Sequence, residues 1–266
     1  MKNLILFLLS IAAFVNLNAQ TDEYFANMLE PGIFGADAGF TYNSSKIQGL
    51  RIRSVTTTDV LYIERGIPEI TLGLGLTKGI EIGAGTGFRF ISGITPGEMG
   101  QGNGNRKTGN GDMDPVYVYG KFGLSRECGF MPSVVLETDF YIPKTGTKLM
   151  KIDDAGFLSE LQLYKSITGS AGIYSSIGAG WDGITTTPVY TINLAPEYYI
   201  SDRLNLYLEL NGTYVKNYKP DNTLSLGFYW DATNNFSFEG YAGSGFEGPK
   251  ERLVAGAVFH VSFGMY

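Results

Sequence analysis

Apolar residues recur at every second position through most of this chain, which is the period of a strand with one apolar face and not that of a helix. Between Gly79 and Ile91, one face carries Ile80, Ile82, Ala84, Thr86, Phe88 and Phe90, and the other carries Glu81, Gly83, Gly85, Gly87 and Arg89. From Phe130 to Ile142, the set Phe130, Val134, Leu136, Phe140 and Ile142 opposes Ser133, Glu137, Asp139 and Tyr141. Arg203 to Tyr214 repeats the rule, with Leu204, Leu206, Leu208, Leu210 and Tyr214 against Arg203, Asn205, Tyr207, Glu209, Asn211 and Thr213. The pattern predicts about twelve strands, near 33 to 43, 60 to 76, 79 to 91, 115 to 125, 130 to 142, 156 to 167, 171 to 182, 188 to 200, 203 to 215, 223 to 231, 235 to 246 and 253 to 265. Connections alternate between tight turns, such as Lys78-Gly79 and Ser201-Asp202, and long loops, such as 92 to 114 and 143 to 155.

Short turns on one side and long loops on the other match outer-membrane barrels, whose short turns face the periplasm. In that orientation, outward Tyr42, Phe88, Phe90, Phe140, Phe157, Trp181, Tyr190, Tyr214 and Phe246 fall at the extracellular strand ends. Outward Phe34, Phe122, Phe130, Tyr198, Trp230, Phe236 and Phe263 fall at the periplasmic ends, with an aliphatic waist between. Amphipathic rings prefer headgroup depth, so two aromatic belts point to a bilayer. Only Glu64 and Lys165 put a charge on the outward face. Both lie near strand ends, where a charge costs about 0 to 1 kcal/mol. An open sheet edge in hydrocarbon leaves backbone groups unpaired, so the sheet is expected to close. The predicted fold is all-β, a transmembrane up-and-down antiparallel β-barrel.

Composition adds the address. Lys2 precedes an apolar run from Leu4 to Val15 broken only by Ser10, and Asn18-Ala19 offers a small residue for cleavage. Residues 1–19 therefore read as a signal peptide, 20–31 as a periplasmic N-terminal segment and 32–266 as an outer-membrane barrel. The apolar run is short of the ~20 residues a membrane helix needs. Cys128 is the only cysteine, so no internal disulfide is available. The net charge of -6 and the lack of a dense basic tract argue against nucleic acid as a partner. Gly83 to Gly87 and Gly102 to Thr108 superficially resemble nucleotide loops but lack the required context, and Asn110, Asp112 and Asp114 are too few for a calcium site. No cofactor or metal is expected.

Candidate chemistry sits on the inward face. It carries Asp37, Glu69, Glu81, Glu137, Asp139, Glu160, Asp182, Glu197, Glu209 and Glu239, opposed by Arg65, Arg89, Lys121, Arg203 and the single histidine, His260. An open lumen of this make-up favours cations; alternatively the charges pair across neighbouring strands and fill a narrow barrel. Inward tyrosines, Tyr117, Tyr119, Tyr141, Tyr164, Tyr174, Tyr199, Tyr207, Tyr229 and Tyr241, can stack against an aromatic solute or a sugar, or simply fill space. Basic residues crowd the long loops, and Lys144, Lys148 and Lys151 are candidates for contact with lipopolysaccharide phosphates. A lipid-modifying enzyme needs a base beside its serine. His260 points away from the lipid, so the chain is not expected to be an enzyme.

Three stretches carry a family resemblance: Pro31-Gly32-Ile33-Phe34 through Gly39-Phe40-Thr41-Tyr42, then Ile67-Pro68-Glu69 through Gly75-Leu76-Thr77-Lys78-Gly79-Ile80-Glu81-Ile82, and Gly111-Asp112 leading to Gly120-Lys121-Phe122-Gly123. With Leu224 to Tyr229 and Asn234-Asn235-Phe236-Ser237, they resemble the outer-membrane transporter family named for the MetA pathway of phenol degradation. The resemblance implies an outer-membrane uptake channel for small solutes, aromatic or hydrophobic compounds among them. Its partners would be membrane lipid, lipopolysaccharide, the solute and, during insertion, the barrel-assembly machinery. Terminal Tyr266 is out of phase with outward Phe259, Val261, Phe263 and Met265, a departure from the usual insertion signal. The alternative reading is a closed structural or surface-binding barrel.

Overall fold

In a computed structural model, the structure describes residues 28–47, 51–52, 55–56, 60–95, 106–146, 152–181, 188–215, 220–247 and 252–264. Twelve antiparallel strands form the barrel: β1 (Ile33–Ile47), β4 (Val60–Thr77), β5 (Ile80–Thr95), β7 (Tyr117–Ser125), β8 (Ser133–Tyr141), β9 (Gly156–Thr168), β10 (Ala171–Trp181), β11 (Val189–Ser201), β12 (Leu204–Val215), β13 (Asp221–Thr233), β14 (Phe236–Glu247) and β15 (Leu253–Gly264). Each pairs with its sequence neighbour, and β1 pairs with β15 from Ile33↔Gly264 to Ser44↔Leu253, closing the ring. Two accessory pieces lie on the long-loop side, the pair β2 (Arg51–Ile52) and β3 (Val55–Thr56) and the strand β6 (Arg106–Met113).

Burial in this barrel is inverted relative to a water-soluble core. Ile70, Leu72, Ile82, Val118, Ile177, Ile192, Leu194, Leu206, Leu208 and Leu226 are exposed, while Glu81, Ser133, Ser176, Asn222 and Ser225 are buried. Only hydrocarbon makes an apolar shell of this extent stable. Strand closure satisfies the backbone inside that shell, as a lipid-exposed sheet requires. The waist is less aliphatic than the alternation suggests. Outside the closing seam Phe40 meets Phe259 edge-on at 6.0 Å, and Phe259 packs on Phe238 at 5.0 Å, which in turn packs on Phe228 at 5.6 Å. On the inner side of that seam Asp37 stands opposite His260.

Three local differences from the sequence reading have physical causes. β5 runs to Thr95 because its lower half pairs with β7 and its upper half with β6, so the expected 92 to 114 loop is partly sheet. β4 carries a register shift between Gly66 and Glu69, which admits Pro68 into a strand where it has no N–H to donate. β8 begins at Ser133, not at 130, because Cys128 and Met131 exchange backbone hydrogen bonds and Gly129 takes a left-handed φ of 55°. Phe130 is thereby left fully exposed in the turn.

Inward tyrosines and glycines are paired across strands. A Cβ on Gly83 would sit 2.4 Å from the Tyr119 ring, one on Gly85 2.5 Å from Tyr117, one on Gly227 2.2 Å from Tyr207 and one on Gly256 2.4 Å from Tyr241. Each ring lies across the bare backbone of a neighbouring strand, the relation in which an aromatic covers an otherwise unprotected glycine.

Candidate functional site: the barrel interior

The interior holds a cavity of about 940 Å³ in its short-turn half, bounded at one end by Asn234, Asn235 and Ser262 and reaching Thr71, Tyr117 and Asp139 at the other. Alternation places its walls, since residues two apart on each strand face the same side. Eight carboxylates line it, those of Asp37, Glu81, Glu137, Asp139, Glu197, Glu209, Asp231 and Glu239, beside the bases Lys121 and His260. Tyr117, Tyr119, Tyr164, Tyr174, Tyr199, Tyr207 and Tyr229 complete much of the surface.

One wall is a charged network on β5, β7, β8 and β9. Glu81, only 2% exposed, accepts the Tyr119 hydroxyl at 2.8 Å and the Leu29 backbone N–H at 2.7 Å. The Lys121 ammonium lies 3.8 Å from Glu81 and 3.9 Å from Glu137, and 5.6 Å from the centre of the Tyr119 ring. Gln162 donates to Glu137 at 2.6 Å and to Glu160 at 3.4 Å. Three residues that precede the barrel enter this network: Leu29 packs its side chain beside Gly35 and Gly73, Glu30 passes over Gly75, and Met28 lines the cavity. Register explains the placement, because Glu81↔Lys121 and Lys121↔Glu137 are directly opposed pairs.

The facing wall is organised by neutral donors. Tyr164 and Tyr199 share a 2.6 Å hydrogen bond, and the Tyr199 hydroxyl donates to Glu197 at 2.7 Å. Asn193 donates to Glu209 at 2.5 Å and to Asn211 at 2.7 Å. Tyr207 donates to Glu239. A hydroxyl or amide satisfies a carboxylate's lone pairs without cancelling its charge. His260 bridges the closing seam, with Nδ1 2.9 Å from Asp37 and Nε2 3.9 Å from Glu239. Asp139 keeps one buried carboxylate oxygen without a hydrogen-bond partner.

Of the residues singled out in the sequence, Glu81, Tyr117, Tyr119, Lys121, Glu137, Asp139, Glu197, Glu209, Glu239 and His260 converge on one cavity, and Glu160 joins through Gln162. Arg203 does not: it is exposed in the tight turn between β11 and β12, because the strand starts one residue after it. Arg89, in β5, pairs through its backbone with Gly66 of β4, and its side chain, like those of Glu64 and Arg65, lies outside what the structure describes. Lys144 is exposed in the 142–155 loop with a left-handed φ of 65°. Lys148, Lys151 and Asp182 lie outside the described residues. Sequence reasoning missed Gln162, Asn193 and Leu29 as partners of the acids. The first two share the inward parity of Glu160 and Glu209 and were findable by it; Leu29 precedes the first strand and carries no periodic signal.

No family model matches the sequence, and no curated protein does. Solved structures do match. The COG4313 outer membrane channel from Pseudomonas putida F1 shares 12% identity at a TM-score of 0.66, over 92% of this chain and 100% of that one. The transport unit of the autotransporter AIDA-I from Escherichia coli matches with 9% identity and a TM-score of 0.57, over 96% of this chain and 97% of the other. The P. putida toluene transporter TodX matches with 8% identity and a TM-score of 0.50, over 88% of this chain and 90% of the other. At such identities the likeness establishes the architecture, a barrel of the outer-membrane type spanning nearly the whole of the chain.

Proposed function

We propose that the protein is an outer-membrane channel through which small solutes pass, with the acidic, tyrosine-rich cavity as their path. The observation that carries this reading is the polar cavity of about 940 Å³ enclosed by a lipid-facing apolar shell. A barrel that merely filled its interior would close it with side chains, as eight-stranded barrels do. The similarity to channels supports the reading, and the sequence resemblance supports placing the chain with transporters of the phenol-degradation type, whose solutes include aromatic compounds. The three-residue stretch Met28 to Glu30, lodged in the mouth, supports the alternative of a closed barrel. On this reading residues 1–19 direct export and 20–31 form the periplasmic N-terminal segment, while Lys144 with Lys148 and Lys151 contacts lipopolysaccharide. His260 is held between two carboxylates, which supports a structural and not a nucleophile-activating role.

Reconstitution decides between the two. Liposomes containing the purified protein are expected to swell in solutions of small neutral sugars or amino acids faster than empty ones, and planar bilayers to show discrete conductance steps. Liposomes that swell no faster than protein-free controls, with silent bilayers, would establish the closed barrel.

A further inference from the structure

Resting on the channel reading, we propose that the cavity selects organic ammonium cations, holding the positive head between a carboxylate and a tyrosine ring on the wall formed by β11, β12 and β14. The chain contains its own example of the ligand. The Lys121 ammonium, the only permanent cation lining the cavity among the described residues, is lodged over the Tyr119 ring with a carboxylate on either side. Such a cation is attracted at once by the ring quadrupole and by the negative charges.

The facing wall repeats the anionic and aromatic parts of that arrangement without a lysine or arginine; its one basic neighbour among the described residues is His260, 3.9 Å from Glu239 and not paired with Glu197 or Glu209. Glu197 stands directly opposite Tyr207 in the β11–β12 register, and Tyr207 in turn donates to Glu239. Glu197 and Glu209 are held by Tyr199 and Asn193, donors that leave the carboxylate charge in place. The Tyr207 ring lies across Gly227 and lines the cavity. Within a low-dielectric shell these fixed charges act on a solute more strongly than they would in bulk water. A bare metal ion would be served by the carboxylates alone; rings beside the carboxylates match an ammonium carried on a carbon frame. Anionic solutes are disfavoured by the same charges.

Reversal potentials of the full mature protein in planar bilayers test this, using choline chloride and, separately, sodium chloride gradients. Choline is expected to permeate in preference to chloride. The doubly substituted Glu197→Gln/Glu209→Gln protein is expected to lose much of that preference, and Glu127→Gln, outside the cavity, to retain it. Replacing the rings, in Tyr199→Leu/Tyr207→Leu, is expected to lower choline permeability relative to sodium by about two- to five-fold, the value of a wet cation–π contact. Folding of each variant is checked by its heat-modifiable mobility, and if a pair of substitutions prevents folding, the wild-type choline-to-chloride ratio decides. Conductance that is unselective or chloride-preferring overturns the proposal while leaving the channel reading intact, as does a pore that carries sodium and excludes choline. A protein that conducts nothing overturns both.

Discussion

Glu81 shows how much of the interior depends on single side chains. It is buried, it accepts from Tyr119 and from the Leu29 backbone, and its charge faces the Lys121 ammonium 3.8 Å away. Glu81→Ala leaves a hydroxyl and a backbone N–H without an acceptor, each costing about 1 to 3 kcal/mol when buried. The variant is expected to lose about 3 kcal/mol, read by urea unfolding in lipid vesicles through the fluorescence of Trp181 and Trp230; an unchanged midpoint would mean that water replaces both partners. Gly83 offers a steric counterpart, because a methyl there meets the Leu72 carbonyl oxygen at 2.2 Å as well as the Tyr119 ring. Backbone cannot rotate away, so Gly83→Ala is expected to cost about 1 to 3 kcal/mol, and a wild-type unfolding midpoint for it would disprove the contact. Both positions were visible in the sequence as inward residues. Their shared contact with Tyr119 was not, since parity assigns a face and says nothing of which neighbours' rings reach across.

The turn between β7 and β8 is latched to the end of β9. Glu127 pairs with Lys165 at 2.6 Å and also accepts from the Ser166 N–H and hydroxyl, while the same ammonium donates to the Gly129 carbonyl. Lys165 is a charge on the lipid-facing side, and the turn folds back to meet it. The Lys165 hydrogen bond, aided by those of Ser166, holds the Glu127 carboxyl below its ordinary value of 4.5. Because the folded value is depressed, the contribution is complete above about pH 4.5 and is lost as the pH falls through the lowered value. Glu127→Gln is expected to cost no more than about 1 kcal/mol at pH 7, the range for exposed pairs, and to flatten the acid side of the stability profile. A pH profile identical to that of the unsubstituted protein would remove the latch from the account. The sequence made Lys165 stand out as an outward charge, and its strand boundaries agree with the structure within a few residues at most ends. It misplaced the start of β8 because Phe130 and Pro132 keep the outward parity through what is a turn, and parity continues across a turn whenever the spacing happens to be even.

At the scale of the whole molecule the strand period, the even strand number and the distribution of outward apolar residues sufficed to give a closed membrane barrel. Length and shape at the long-loop side did not follow, because the β5–β6 hairpin uses a strand, Arg106–Met113, made almost entirely of glycine and polar residues with no apolar alternation to mark it. Nor did the entry of residues 28–30 into the mouth. The tyrosine-over-glycine contacts have a bearing on how such a ring of strands is put together. Sliding one strand past its neighbour by a single residue would aim the rings it carries at lipid and leave their matching glycines bare. Contacts that shape the interior of the finished protein therefore also penalise misalignment while the wall is still being assembled.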